Sequence, residues 1–134
     1  MDLNNSETDM PAPCAGRVLV VDDNQPSAMT LTWAMELSGY EVRTCFDGRS
    51  AVEVAHGFHP DVVLLDLGMP GIDGFEVCRR LRDDASLSGV TVIAQTGWGS
   101  SEMRKRTDEA GFNHHMTKPV DLTNLLKIVA ASIH

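Results

Sequence analysis

VVLLDLGMPGIDG, residues 62–74, is an apolar run that stops at a carboxylate and turns into a helix start. Val62 to Leu65 has no alternation of apolar and polar residues. It therefore reads as a strand buried on both faces, the kind that lies inside a parallel sheet. The run ends at Asp66. Met69, Pro70 and Gly71 then make a turn, and Asp73 is placed to cap a helix carrying Phe75, Cys78 and Leu81 on one stripe.

The same strand-then-helix unit recurs on either side. Upstream, RVLVV at Arg17–Val21 is a short apolar strand ending in Asp22-Asp23. Pro26 suits the first turn of a helix with Ala28, Leu31, Met35 and Ser38 inward and Gly39 as its stop. Glu41 to Cys45 alternates as a strand, Val42 and Thr44 against Arg43 and Cys45. Asp47 caps a helix running to about His56, with Ala51, Val52 and Ala55 inward. Downstream, Val90 to Ala94 is a fourth strand ending near Thr96, followed by a loop at Gly97 and Gly99. Ser101 to Ala110 reads as a helix with a thin inward stripe of Met103, Thr107 and Ala110, stopped by Gly111. Asn113 to Met116 is a more polar strand suited to a sheet edge, and Lys118-Pro119 ends it. Asp121 caps a last helix with Leu122, Leu125, Leu126, Val129 and Ile133 inward. Five strands alternating with five helices imply a parallel sheet covered on both faces. Residues 1–16 are polar, with few apolar side chains, and read as a flexible N-terminal tail before a domain at 17–134.

Composition narrows the function classes. The chain has 134 residues, enough for one domain with a real core. Its formal charge of −8, from 11 basic and 19 acidic residues, disfavours direct contact with nucleic-acid phosphates and favours cations. Cys14, Cys45 and Cys78 are scattered and form no metal-binding pair, so a disulfide framework or zinc cluster is not expected and reduced thiols are. Cys45 and Cys78 read as packing residues. No apolar run approaches the ~20 residues that span a bilayer, and the start lacks the pattern of a secretory signal. A soluble cytoplasmic protein without membrane insertion follows.

In such a sheet the functional groups gather at the carboxyl ends of the strands. Strand one ends in Asp22 and Asp23, strand three in Asp66, strand four in Thr96 and strand five in Lys118. Taken singly these residues mean little: an acidic pair is commonly solvated, a lysine commonly lies on the surface, and Ser and Thr crowd loops. Their convergence on one rim is what carries chemistry. Two like charges roughly 4 Å apart repel by about 4 kcal/mol at an effective dielectric near ~20. A hard oxygen-loving cation such as Mg2+ relieves that repulsion. With a lysine ammonium beside it, the site suits a phosphoryl group, and Asp66 is the natural nucleophile. His114 and His115 are strand neighbours pointing to opposite faces, so they do not share an ion. His56 and His59 flank a turn and read as solvated, as does Asp83-Asp84 at a helix end.

The motifs V-D-D at strand one, L-L-D-L-G-M-P-G-I-D-G after strand three, Q-T-G after strand four and T-K-P-V-D after strand five resemble the receiver domain of two-component response regulators, from about Arg17 onward. The resemblance implies a flavodoxin-like, doubly wound (βα)5 fold with strand order 2-1-3-4-5. It implies that Asp66 is the phosphoacceptor. Asp23, Asp66 and the carbonyl of Gly68 would be Mg2+ ligands, with Asp22 acting mostly through water. Thr96 would bond the phosphoryl oxygens, Lys118 would pair with them, and Pro119 would fix the lysine loop. The donor would be a histidine kinase or histidine phosphotransfer protein. A downstream partner would read the face of the fourth helix, fifth strand and fifth helix. No separate substrate would be turned over. His115 stands where many members carry Tyr or Phe, so the resemblance makes it the switch ring that follows Thr96; a histidine can rotate as those rings do but buries less apolar area. Gly68 would open one side of the acceptor and Trp98 would shield the other. The F-N-H-H-M-T-K-P-V run and T-G-W-G loop resemble receivers associated with hybrid histidine kinases.

Other readings compete. An aspartate-nucleophile phosphatase carries a second acid two residues after the nucleophile, where this chain has Gly68. A flavin carrier needs a phosphate-cradling loop after strand one, where Asp22 and Asp23 would repel phosphate. A pseudo-receiver adaptor that never takes phosphate is the remaining alternative, against which the intact acidic set argues.

Overall fold

The computed structural model describes residues 15–69, 71–97 and 99–133. Strands β1 (Arg17–Val21), β2 (Glu41–Cys45), β3 (Val62–Asp66), β4 (Thr91–Thr96) and β5 (His114–Thr117) alternate with helices α1 (Gln25–Leu37), α2 (Gly48–Phe58), α3 (Gly74–Asp83), α4 (Ser101–Ala110) and α5 (Leu122–Ser132). The strands form one sheet in the order β2-β1-β3-β4-β5, with every pairing parallel. The doubly wound α/β architecture expected from the sequence is therefore present. No helix among the described residues is long and apolar enough to cross a membrane.

The alternation of side chains along each strand splits the core into two layers. Val18, Val20, Val62, Leu64 and Ile93 face α1 and α5, meeting Ala28, Leu31, Met35, Leu125 and Val129. Leu19, Val21, Val63, Leu65 and Ala94 face the other side, against Ala51, Ala55, Val77, Cys78 and Leu81. β3 is buried throughout, which is what its unbroken apolar run requires. Cys45 and Cys78 are both buried, and burial pushes both thiols up, Cys45 to about 11, so they pack as unreactive side chains.

Every helix starts on a capping side chain. Asp47, Asp73 and Asp121 accept from the third residue on, as their positions predict, and Asn24 and Ser100 do the same at α1 and α4. Gly74, the first residue of α3, has no room for a side chain: a Cβ there would lie 2.7 Å from the Asp66 carbonyl oxygen. That contact holds the start of α3 directly beneath the end of β3.

Several sequence expectations need correction. Ser38 does not face inward; it is exposed and caps the C-terminus of α1, its hydroxyl donating to the Ala34 carbonyl. Leu122 is 36% exposed because the first turn of α5 stands above the packed layer. Val90 precedes β4, its N–H turned back to the Leu87 carbonyl. α2 runs on to Phe58 and closes with His59 in the left-handed region at φ 54°. His56 and Asp84 are not simply solvated: His56 Nδ1 lies 2.9 Å from Asp84 Oδ2. With Ser86, that contact holds the Asp84 carboxyl down to about 2. Stability from Asp84 is thus complete above 3.8 and is lost as pH falls toward 2. Residues 1–14, including Cys14, and Pro70 and Trp98 lie outside the described residues, so the expected Trp98 shield and all of the expected tail but its last two residues do too; of those two, Ala15 N donates to the Gly39 carbonyl and the Gly16 carbonyl accepts from Glu41 N.

Arg82 is a structural fastener that the sequence did not single out. Its guanidinium donates to the carbonyls of Gly111, Ser88 and Val90 and to Asn113 Oδ1, at 2.6–3.0 Å. Asn113 Oδ1 in turn accepts from Val92 N. Arg82 thus ties the end of α3 to the turn before β4 and to the α4–β5 connection, where Gly111 takes φ +98°. Arg82→Met keeps the apolar stem and removes all of these donors. We expect it to lower unfolding free energy by about 2–3 kcal/mol in urea melts; a loss below about 0.5 kcal/mol would show the network to be incidental.

Candidate functional site

The carboxyl ends of β1, β3, β4 and β5 open on one rim. Asp22 follows β1, and its N–H continues the ladder to the Cys45 carbonyl. Its side chain is fully buried, with Oδ1 accepting from Asn24 N at 2.9 Å. Asp66 ends β3, its side chain 8% exposed and Oδ1 accepting from Gly68 N at 3.0 Å. Asp23 beside them is exposed. Oxygens of Asp22, Asp23 and Asp66 all lie within 4.8 Å of one another. Among the described residues this is the only such group of three metal-ligating side chains.

Lys118 reaches this cluster from the far side of the sheet. Its Nζ is 3.5 Å from Asp22 Oδ2 and 3.3 Å from Asp66 Oδ1. Its N–H donates to the Thr96 carbonyl at 2.8 Å, which extends the β4–β5 ladder and sets the lysine at the rim; the Lys118-Pro119 peptide is cis. Thr96 is 4% exposed at the end of β4, its backbone paired with that of Lys118. Gly68 is exposed, and a Cβ there would stand 3.7 Å from Asp66 Oδ1, in ordinary contact with the carboxylate. Any larger residue at 68 would therefore project beside Asp66. The structure brings Asp22, Asp23, Asp66, Gly68, Thr96 and Lys118 to one rim, as their strand-end positions predict.

Burial is the main force on Asp22. It pushes the carboxyl above its ordinary range, and the neighbouring Asp66 charge pushes the same way; the Asn24 N–H and Lys118 oppose them. All the donors are hard carboxylate oxygens, a set suited to a divalent cation such as Mg2+. A raised folded pKa means that the native state holds its proton more tightly. Stability is then fullest below 3.8 and falls as pH rises through the raised value. Asp22→Asn should therefore raise the melting temperature of chelator-treated protein by about 2–6 °C at pH 7, with the gain vanishing near pH 4. It should also weaken Mg2+ binding. Equal melting of parent and variant across that range would contradict the burial argument.

His115 lies on β5, half-buried, one strand-step from the lysine loop. Its Nδ1 is 3.2 Å from the hydroxyl of Thr107, whose oxygen also lies 2.9 Å from the Arg104 carbonyl. Thr107 is the buried residue of α4, and Met103 and Ala110 pack partly buried on the same core, so this hydrogen bond joins β5 to the inward face of α4. His114 is exposed on the opposite face.

Comparison with known proteins places this geometry among relatives. The family described as the response regulator receiver domain matches residues 18–130. Response regulator PleD of Caulobacter vibrioides is 38% identical over 80% of this chain, and the match spans 24% of PleD. Protein PilH of Pseudomonas aeruginosa is 36% identical over 86% of this chain and 95% of its own length. Among solved structures, the Vibrio cholerae chemotaxis protein CheY4 is similar at TM-score 0.84 and 28% identity, covering 88% of this chain and 98% of its own. A Francisella response regulator receiver domain is similar at TM-score 0.81 and 26% identity, covering 87% and 95%.

Proposed function

The chain belongs to the response regulator receiver domain family, and on that premise we propose that it is a phosphorylation-dependent switch in which Asp66 accepts the phosphoryl group. One observation supports this most strongly: a single ammonium, Lys118, is set 3.5 Å from Asp22 and 3.3 Å from Asp66 at a rim shared by three carboxylates. An acidic cluster alone would bind a cation. The added ammonium gives room and charge for a second anion, the phosphoryl group.

The donor is a phosphohistidine on a histidine kinase or phosphotransfer protein. An Asp66 oxygen attacks phosphorus as the P–N bond breaks; the imidazole keeps the electron pair and takes a proton from solvent. The product is an acyl phosphate on Asp66. Lys118 turns from the carboxylates to the phosphoryl oxygens, and the Thr96 hydroxyl donates to them. Asp22, Asp23 and Asp66 with the Gly68 carbonyl would hold Mg2+, which when bound offsets charge on the transferring group. No separate substrate is turned over.

Modification at Asp66 adds charge beside Thr96 and Lys118, which are linked through their backbones. The Thr107–His115 hydrogen bond then carries any movement of β5 to α4, so the face of α4, β5 and α5 changes population and selects a downstream partner. Beryllofluoride, a phosphoryl mimic, tests the reading. With Mg2+ present it should shift the backbone resonances of Thr96, Thr107 and His115; without Mg2+ it should not. Absence of binding at any Mg2+ concentration would favour the pseudo-receiver alternative.

A further inference from the structure

β4 sends Ile93 and then Gln95 toward the layer of α1 and α5. Gln95 is 1% exposed, yet its amide nitrogen Nε2 has no hydrogen-bond partner among the described residues. An unpaired buried amide costs on the order of 1–3 kcal/mol, a cost that an aliphatic residue at this strand position would avoid. Gln95 is among the residues that line a cavity of about 490 Å³ between α1 and the β5–α5 connection. Leu31, Pro119, Val120 and Leu122 make its walls apolar, and Ser27 and Thr30 stand along α1. Small-molecule sites of roughly 300–1,000 Å³ combine apolar walls with a few placed polar groups in this way.

Charge narrows the ligand. Lys118 and Asp22 close one end of the cavity and pair with each other, so neither an anion nor a cation finds an unopposed partner there. A neutral group that both accepts and donates satisfies a primary amide in either orientation. We propose that this cavity binds a small neutral molecule bearing a carboxamide or lactam on an apolar body, its amide paired with Gln95 and its body against Leu31, Val120 and Leu122. Lys118 and Asp22 border both this cavity and the acidic rim, so occupancy and phosphoryl uptake influence each other, reciprocally. That coupling rests on the phosphoacceptor reading; binding of the molecule does not.

ε-Caprolactam, a methylene ring closed by one lactam, is the probe. Titrated into the isotope-labelled full chain, it should move the Gln95 side-chain amide resonances saturably. Gln95→Leu, which keeps the bulk and drops the amide, should bind it about tenfold more weakly, the loss of one buried hydrogen bond. Saturating probe should change the apparent beryllofluoride affinity in Mg2+ by about twofold or more, and beryllofluoride should change probe affinity by the same factor. Unmoved Gln95 resonances overturn the site. So does equal binding by a Gln95→Leu protein that melts cooperatively, or an ordered water on Gln95 that the probe fails to displace. Binding without mutual influence overturns the coupling alone. If beryllofluoride does not bind the parent, the phosphoacceptor reading falls while the lactam titration still judges the site.

Discussion

Asp66→Asn is expected to take up no stable phosphoryl group from acetyl phosphate in Mg2+, with labelling lowered by at least about a hundredfold. A carboxamide oxygen is a poor nucleophile and cannot form the acyl phosphate. The variant should nevertheless fold well. Its side-chain oxygen still accepts from Gly68 N, and Gly74 still fits beneath the β3 carbonyl. Loss of the Asp66 charge also removes one of the influences that push the Asp22 carboxyl upward, so the metal-free variant should melt no lower than the parent. Quantified incorporation beside a thermal melt separates chemistry from folding. Labelling of Asp66→Asn at the parental level would mean that another residue is the acceptor.

Lys118→Ala should leave the acceptor in place and slow its modification by about 10²–10³, the range found when one preorganised donor to a developing anion is removed. Two consequences separate this from simple loss of metal. Lys118 lowers the Asp22 pKa, so its removal raises that carboxyl further and destabilises the chelated protein at neutral pH. Saturating Mg2+ should recover the melting temperature without recovering the rate. The informative measurement is the rate of acetyl phosphate labelling as Mg2+ is raised to saturation. A Lys118→Ala rate that climbs to the parental value would show that Lys118 serves only to balance the carboxylates.

The strand ends were readable in the sequence because each apolar run breaks at a residue type that a buried strand does not need. Asp66 after VVLL, Asp22 after RVLVV and Lys118 before Pro119 are such breaks, and the parallel register brings them together. Helix caps were readable for the aspartates and not for Asn24 or Ser100, whose types are common in loops. What stayed hidden depends on long-range partners. Arg82 looks like one more charge on an exposed helix until the carbonyls of Ser88, Val90 and Gly111 are positioned around it. His56 meets Asp84 only because α2 and α3 lie side by side. Apolar periodicity also overreached at Leu122, and it gave no reason for Leu37 to be 89% and Trp33 58% exposed on the outer side of α1. Gln95 carried a signal that went unused: one amide directly after the apolar run Val92–Ala94 inside the buried strand TVIAQT.

Borohydride trapping reads the acceptor residue itself. The chain is incubated with acetyl phosphate and Mg2+, reduced so that any acyl phosphate becomes an alcohol, digested and mapped by mass spectrometry. Conversion at position 66 alone, abolished when Mg2+ is chelated, is the result predicted by a hollow formed from Asp22, Asp23, Asp66 and Lys118. Conversion at a different carboxylate, or none while a known receiver treated in parallel is converted, would contradict it.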